Sequence, residues 1–193
     1  TGIAGSVNIN NNTVNSTEIS NNSSITAQAN QAGGEAGSVN LNTTQLTLDN
    51  ESKISASNID DTSGKGDVNL NNLDNLTVNN SEISASTVDG EAGSININQN
   101  EDSVNNINLE SGKITVEATN DGNSGSIKVN SNNLTANNNS TISASTNTGE
   151  GGNIDFQNLN TLKLTNNSDI STETNTGIAG SVNINNNTVN STE

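Results

Sequence analysis

Apolar residues along this chain come in pairs two positions apart, and the pairs recur in a fixed order. The first pair of each cycle is Val-x-Ile-like: Val7/Ile9, Val39/Leu41, Val68/Leu70, Ile95/Ile97, Ile127/Val129 and Ile154/Phe156. The second is Leu-x-Leu-like: Leu46/Leu48, Leu76/Val78, Ile107/Leu109, Leu134/Ala136 and Leu162/Leu164, with Thr17/Ile19 in the first cycle. The third is Ile-x-Ala-like: Ile25/Ala27, Ile54/Ala56, Ile83/Ala85, Ile114/Val116 and Ile142/Ala144, with Ile170/Thr172 in the last. A spacing of two is the strand period, and the polar residue between the two points to the opposite face. Each pair therefore predicts one short strand. No segment keeps a helical period, so no helix is expected.

The cycle itself repeats. Its leading residue falls at Val7, Val39, Val68, Ile95, Ile127, Ile154 and Val182, in steps of 27 to 32 residues that cover 175 in all. Unequal steps fit a solenoid whose loops absorb the insertions. The predicted architecture is an all-β, right-handed parallel β-helix with three short strands per coil and about six coils. The hand follows from the rule for parallel strand connections. Six apolar side chains per coil would fill a narrow column, like stacked on like. A leucine-rich repeat explains less. Leu159-x-x-Leu162-x-Leu164-x-x-Asn167 fits that pattern. However, Thr43 and Ser131 stand at its leading position in coils two and five, and the other two strand motifs remain unexplained.

The outward residues sort into faces. Face one carries Asn8, Asn40, Asn69, Asn96, Lys128, Asp155 and Asn183; its asparagines predict an amide ladder. Face two carries Glu18, Thr47, Thr77, Asn108, Thr135 and Lys163, and face three Thr26, Ser55, Ser84, Thr115, Ser143 and Ser171. A glycine precedes each first strand, at Gly5, Gly37, Gly66, Gly93, Gly125, Gly152 and Gly180. These glycines are expected to mark a corner with positive φ. Asparagine tolerates the left-handed conformation needed at the others. The loop after the third strand is the least regular part of the coil and is assigned no element.

Composition changes the picture in three ways. Only 27% of residues are hydrophobic and Phe156 is the one aromatic. That would indicate disorder without the periodicity, but a thin column needs few apolar residues per turn. Cys, His, Arg, Pro, Met, Trp and Tyr are all absent. Disulfide and thiol chemistry are thereby excluded, and the lack of Pro suits a chain whose backbone N–H groups are nearly all needed. There is no signal peptide and no apolar run long enough to span a membrane, so no membrane insertion is expected and any export signal would lie outside this stretch. Finally, the net charge is −16 with five lysines. Nucleic acid is not an expected partner, because phosphate neutralisation needs basic patches. A negative surface keeps a long fibre soluble and could attract Ca²⁺ or Mg²⁺ weakly and without a defined site.

Candidate chemistry is sparse. Asp60–Asp61, Asp67, Glu101–Asp102 and Asp121 fall in loops, and sequence neighbours diverge in extended backbone. No Arg or His stands by to assist a carboxylate. No catalytic, cofactor-binding or metal-binding residue is assigned, and an enzyme is not expected. The segment GGNIDF at Gly151–Phe156 lacks the second glycine of the calcium-binding nonapeptide. Asn-x-Ser/Thr triplets, among them Asn15, Asn50, Asn75, Asn133 and Asn138, arise readily in a chain with 44 asparagines. Thr47, Thr77 and Thr135 do not make an unbroken threonine row of the ice-binding kind, because Glu18, Asn108 and Lys163 interrupt it.

The run GEAGSVNL with LTLDNESKISAS, between Gly34 and Ser57, and its kin at Gly64, Gly90, Gly122 and Gly149, resembles filamentous-haemagglutinin-type repeats, especially those of large cyanobacterial surface proteins. The resemblance covers the whole chain. It implies a right-handed β-helix, export across an outer membrane, often by a two-partner system, and a role in adhesion or a surface layer. The expected function is a structural repeat unit of a long extracellular fibre or cell-surface filament. The alternative is an adhesin module that recognises carbohydrate or another cell surface. Near-absence of aromatics favours the stalk, because binding patches are often aromatic.

Residues Thr1–Glu18 read TGIAGSVNINNNTVNSTE, and Thr176–Glu193 read the same. The whole of 1–193 is thus expected to be one continuous β-helix, in which 1–175 is one unit of a higher-order tandem repeat and 176–193 opens the next. The expected partners are further copies along the fibre axis, with lateral contacts between fibres.

Overall fold

The computed structural model describes residues 4–10, 15–29, 34–58, 65–99 and 102–185. They form an all-β parallel solenoid of about six turns, with no helix. The first ladder stacks Val7–Asn10, Val39–Asn42, Val68–Asn71, Ile95–Ile97, Ile127–Asn137, Ile154–Gln157 and Val182–Asn185. Its register places Val7, Val39, Val68, Ile95, Ile127, Ile154 and Val182 in one column. The uneven steps of the sequence are thus absorbed outside this ladder.

The second ladder stacks Ser16–Ile19, Gln45–Asp49, Asn75–Asn79, Val104–Glu110, the second half of Ile127–Asn137, and Thr161–Leu164. The third stacks Ser24–Thr26, Lys53–Ser55, Glu82–Ser84, Lys113–Thr115, Thr141–Ser143 and Asp169–Ser171. The first two ladders join into one sheet because Ile127–Asn137 runs through their corner unbroken. In coils three, four and six that corner is turned by a left-handed asparagine, Asn72, Asn98 and Asn158 respectively.

Asparagine also builds the corner between the second and third ladders. Asn21 and Asn22, Asn50 and Glu51, Asn138 and Asn139, and Asn166 and Asn167 all have left-handed φ. A serine follows each of these pairs and locks the turn. Its N–H donates to the serine hydroxyl one coil on, as from Ser23 to Ser52 (3.4 Å), Ser52 to Ser81 (3.1 Å) and Ser140 to Ser168 (3.2 Å). The asparagine-rich composition is therefore a conformational requirement: left-handed backbone costs most residues dearly, and asparagine little.

The core is the predicted column, with one addition. Leu73, Val104 and Leu159 also point inward, three residues ahead of the second-strand pair, so coils two to six each have a seventh interior position. Thr43 and Ser131 hold it in coils two and five and are fully buried. The Thr43 hydroxyl donates to the Gln45 carbonyl at 3.2 Å. The Ser131 hydroxyl has no hydrogen-bond partner.

The glycine column behaves differently from expectation. None of Gly5, Gly37, Gly66, Gly93, Gly125, Gly152 and Gly180 has positive φ. They are glycines because the coils touch there. A Cβ on Gly125 would lie 1.7 Å from the Gly93 carbonyl oxygen, and one on Gly152 would lie 1.5 Å from that of Gly125. Among the described residues the positive-φ glycines are Gly90, Gly122, Gly149 and Gly177, and they belong to an element without alternating apolar pairs.

That element is a fourth ladder. Gly90–Glu91, Ala118–Asn123, Thr146–Glu150 and Thr174–Ile178 pair in parallel, and single bridges carry the column back through Thr87 and Asn58 to Ala29. After the third strand the chain swings outward into an arm and comes back to where it left. The Gly93 N–H donates to the Ala85 carbonyl, and the Gly152 N–H to that of Ala144, both at 3.1 Å. Ala29, Ala36, Ala92 and Ala118 are buried in these arms, outside the main core cluster.

Candidate functional site

The arm meets the third ladder at a re-entrant elbow. On a straight strand, side chains two apart are separated by roughly 6.6 Å. Here the Ser55 and Ser57 hydroxyls are 2.8 Å apart, and those of Ser143 and Ser145 are 2.7 Å apart. The backbone must therefore bend toward its own outer face. As a result face three is not an open surface. Ser55, Ser84, Thr115 and Ser143 point away from the core but are buried at the bottom of the elbow.

The elbow also gathers charge. Glu82 receives a hydrogen bond from Thr115 (3.3 Å) and an ion pair from Lys53 (3.3 Å). Glu117, one coil on, has its carboxyl raised above the ordinary glutamate range. Burial is the main cause. A hydrogen bond with Ser143 opposes it, the charge of Glu82 adds to it, and Lys113 opposes it. Further along, Glu117, Thr119, Ser145, Asn147, Glu173 and Asn175 line an open groove of about 320 Å³. Its walls are hydroxyls, amides and carboxylates. Such a lining can hydrogen-bond a polar chain.

Of the acids singled out in the sequence, those among the described residues do not come together. Asp60, Asp61 and Glu101 lie outside the described residues. Asp67 accepts the Ser94 N–H at 2.8 Å, and Asp121 accepts the Thr148 hydroxyl at 2.8 Å, so both serve coil stacking. The carbonyl of Asp102 accepts the Asn98 amide at 2.8 Å. Among the described residues no three potential metal ligands cluster. Lys65 and Glu91 form an exposed ion pair at 2.7 Å, which raises the lysine and lowers the carboxyl through a direct hydrogen bond and then charge. Within GGNIDF, Asp155 accepts the Asn183 amide at 2.7 Å and belongs to the face-one ladder. The triplets at Asn50 and Asn138 are corner turns whose serines, Ser52 and Ser140, are buried. Asn133 is spent on Asn105 and Asn106 of the coil before.

Face one carries the expected amide ladder. The side-chain amide of Asn40 donates to Asn8 (2.7 Å), Asn69 to Asn40 (2.7 Å) and Asn96 to Asn69 (2.9 Å). Face two stacks Glu18, Thr47, Thr77, Asn108, Thr135 and Lys163 in register as expected.

One surface is apolar. Among the described residues the exposed large hydrophobics are Leu164 (40%), Ile178 (68%), Val182 (40%) and Ile184 (41%). All four lie in the sixth coil or the strand that follows it.

Compared with protein-family models, with curated proteins and with solved structures, the chain matches none. No helix among the described residues is long and apolar enough to cross a membrane.

Proposed function

We propose that this β-solenoid is a structural rod segment of an extracellular fibre or cell-surface filament, of filamentous-haemagglutinin type. One observation carries the reading: a single register runs from Val7 to Val182, and along face one the asparagine side chains bond to their equivalents one coil away. A surface that spends its hydrogen bonds on itself along one axis resists bending and offers few free groups to a ligand. The acidic surface, with a net charge of −16, supports solubility of a long rod. The test is location and form. Antibody labelling of intact cells of the source organism should decorate the exterior, and the labelled structures should be filaments. Labelling only after permeabilisation would overturn the proposal.

The adhesin reading has its own support in the groove between Glu117 and Asn175. Its hydroxyl and amide lining suits a carbohydrate chain laid along the rod. Glycan-array binding that is abolished by Asn147→Ala with Asn175→Ala would favour this reading; binding unaffected by the pair would exclude the groove.

A further inference from the structure

The segment Val-Asn-Ile-Asn occurs twice in the first ladder, and the two copies show its two opposite edges in use. As Val7–Asn10 it pairs with the coil after it, Val7 on Val39 and Ile9 on Leu41. As Val182–Asn185 it pairs with the coil before it, Val182 on Ile154 and Ile184 on Phe156. The backbone bonding is the same at both seams: the Val7 N–H donates to the Ser38 carbonyl and the Ile154 N–H to the Ser181 carbonyl, each at 2.9 Å.

The side chains agree in direction. Each face-one amide donates toward the earlier coil, Asn40 to Asn8 and Asn183 to Asp155, both at 2.7 Å. Asn183 therefore keeps its carbonyl oxygen free on the later side, as Asn8 presents its own to Asn40. Residues 176–193 repeat residues 1–18 without a change. The coil that opens at Val182 thus has the face on which coil two sits. Both seams needed to join one copy to another are already present in this structure.

The exposed apolar end has a matching explanation. The residues one coil before Leu164, Val182 and Ile184 in the register are Ala136, Ile154 and Phe156, and all three are fully buried. One further layer would give Leu164, Val182 and Ile184 the same cover. We infer that this end is the docking face for a second copy of the same 175-residue unit, continuing in register from the coil that residues 176–193 begin. The inference rests on the rod reading and names what extends the rod.

The test is a two-unit chain, in which residues 19–193 are appended after Glu193 so that 176–193 serves as the start of the second unit. It is compared with the single chain by urea unfolding, by binding of an apolar-surface dye and by small-angle X-ray scattering. The expected results are one transition at higher urea, the same dye signal per molecule as the single chain, and a rod longer by about 29 Å, six layers of about 4.8 Å. Two independent units, unfolding at the single-chain midpoint with doubled dye binding, would overturn the inference. Gly180→Val provides the seam control, because a Cβ there would lie 1.9 Å from the Gly152 carbonyl oxygen. In the two-unit chain it should split the transition in two and restore the extra dye binding. A single unchanged transition in that variant also overturns the inference. An intracellular location would remove the surface-fibre reading and leave this result standing, so the two failures are distinguishable.

Discussion

Gly125→Ala separates two physical reasons for a glycine. Gly125 has no positive φ, so alanine is allowed there by backbone conformation. Its obstacle is the neighbouring coil: the added Cβ would lie 1.7 Å from the Gly93 oxygen, 2.6 Å from the Gly93 carbon and 2.9 Å from the Ala92 oxygen. Relief to an ordinary contact needs a local parting of the coils by roughly 1.5 Å, against a normal strand spacing of about 4.8 Å. Two interlayer hydrogen bonds flank the site, Ala92 N–H to Asn123 and Ile95 N–H to Ser126, each 3.0 Å long. Such a parting takes both beyond hydrogen-bond range, at about 1–3 kcal/mol each when the groups stay buried. Against this stands a gain of about 0.4–1 kcal/mol from the less flexible unfolded chain. The net expectation is a loss of about 2–5 kcal/mol. For a chain of this size each kcal/mol moves the midpoint by about 2–4 °C, so Tm should fall by roughly 5–15 °C in thermal unfolding followed by far-ultraviolet circular dichroism. Gly5→Ala is the comparison. No atom lies within 4 Å of a Cβ at Gly5 and its φ is not positive, so only the unfolded-state gain applies and Tm should hold or rise slightly. Equal Tm values for the two variants would refute the close-contact reading of the glycine column.

Four other substitutions test the core, an outward face and the elbow. Ser131→Ala removes a buried hydroxyl that has no partner and should stabilise by about 1 kcal/mol; a lower urea midpoint would show that the hydroxyl is in use. Ile114→Asp places a charge in the fully buried isoleucine column between Ile83 and Ile142 and should cost several kcal/mol or abolish folding, whereas Asn108→Asp, on an exposed outward position of the same coil, should stay within about 0.5 kcal/mol. Thr115, next to Ile114, is not a harmless control because the elbow buries it. Glu117→Gln tests the raised carboxyl. Folding favours the protonated form of Glu117, so its contribution to stability is largest below the unfolded-state value and is lost as pH rises through the folded-state value above it. The glutamine variant should therefore be more stable than the parent at pH 7, with the difference shrinking as pH falls through the ordinary carboxylate range. A difference that grows on acidification would reverse the sign and refute burial as the cause.

The periodic pairs made the core legible, since a spacing of two leaves little choice about which side chains face inward, and parallel stacking of like coils fixes their partners. Every leading residue from Val7 to Val182 could be placed in its column from the sequence, as could the face-one asparagines. The seventh interior position had a signal, the Leu73-x-x-Leu76 and Leu159-x-x-Leu162 spacing, which fitted another repeat family equally well. The docking end was also legible in part: the identity of 1–18 with 176–193 gives the repeat, and the structure adds which edge of Val182–Asn185 is already used.

What the sequence alone could not decide was where the coil bends against its own curvature. The arm segments, Ala118–Asn123 and Thr146–Glu150 among them, carry no alternating apolar pairs, because their interior is made of alanines and hydroxyls rather than large side chains. Periodicity reports only burial against a large apolar core. A ladder held by backbone pairing between neighbouring arms leaves no such trace. The elbow follows from that ladder, and so do the burial of Ser55 and Ser143 and the raised carboxyl of Glu117. The glycine column shows the same limit: a glycine required by φ and one required by a neighbour's carbonyl are identical in sequence. Only the stacking distance, 1.7 Å from a notional Cβ to the Gly93 oxygen, distinguishes them.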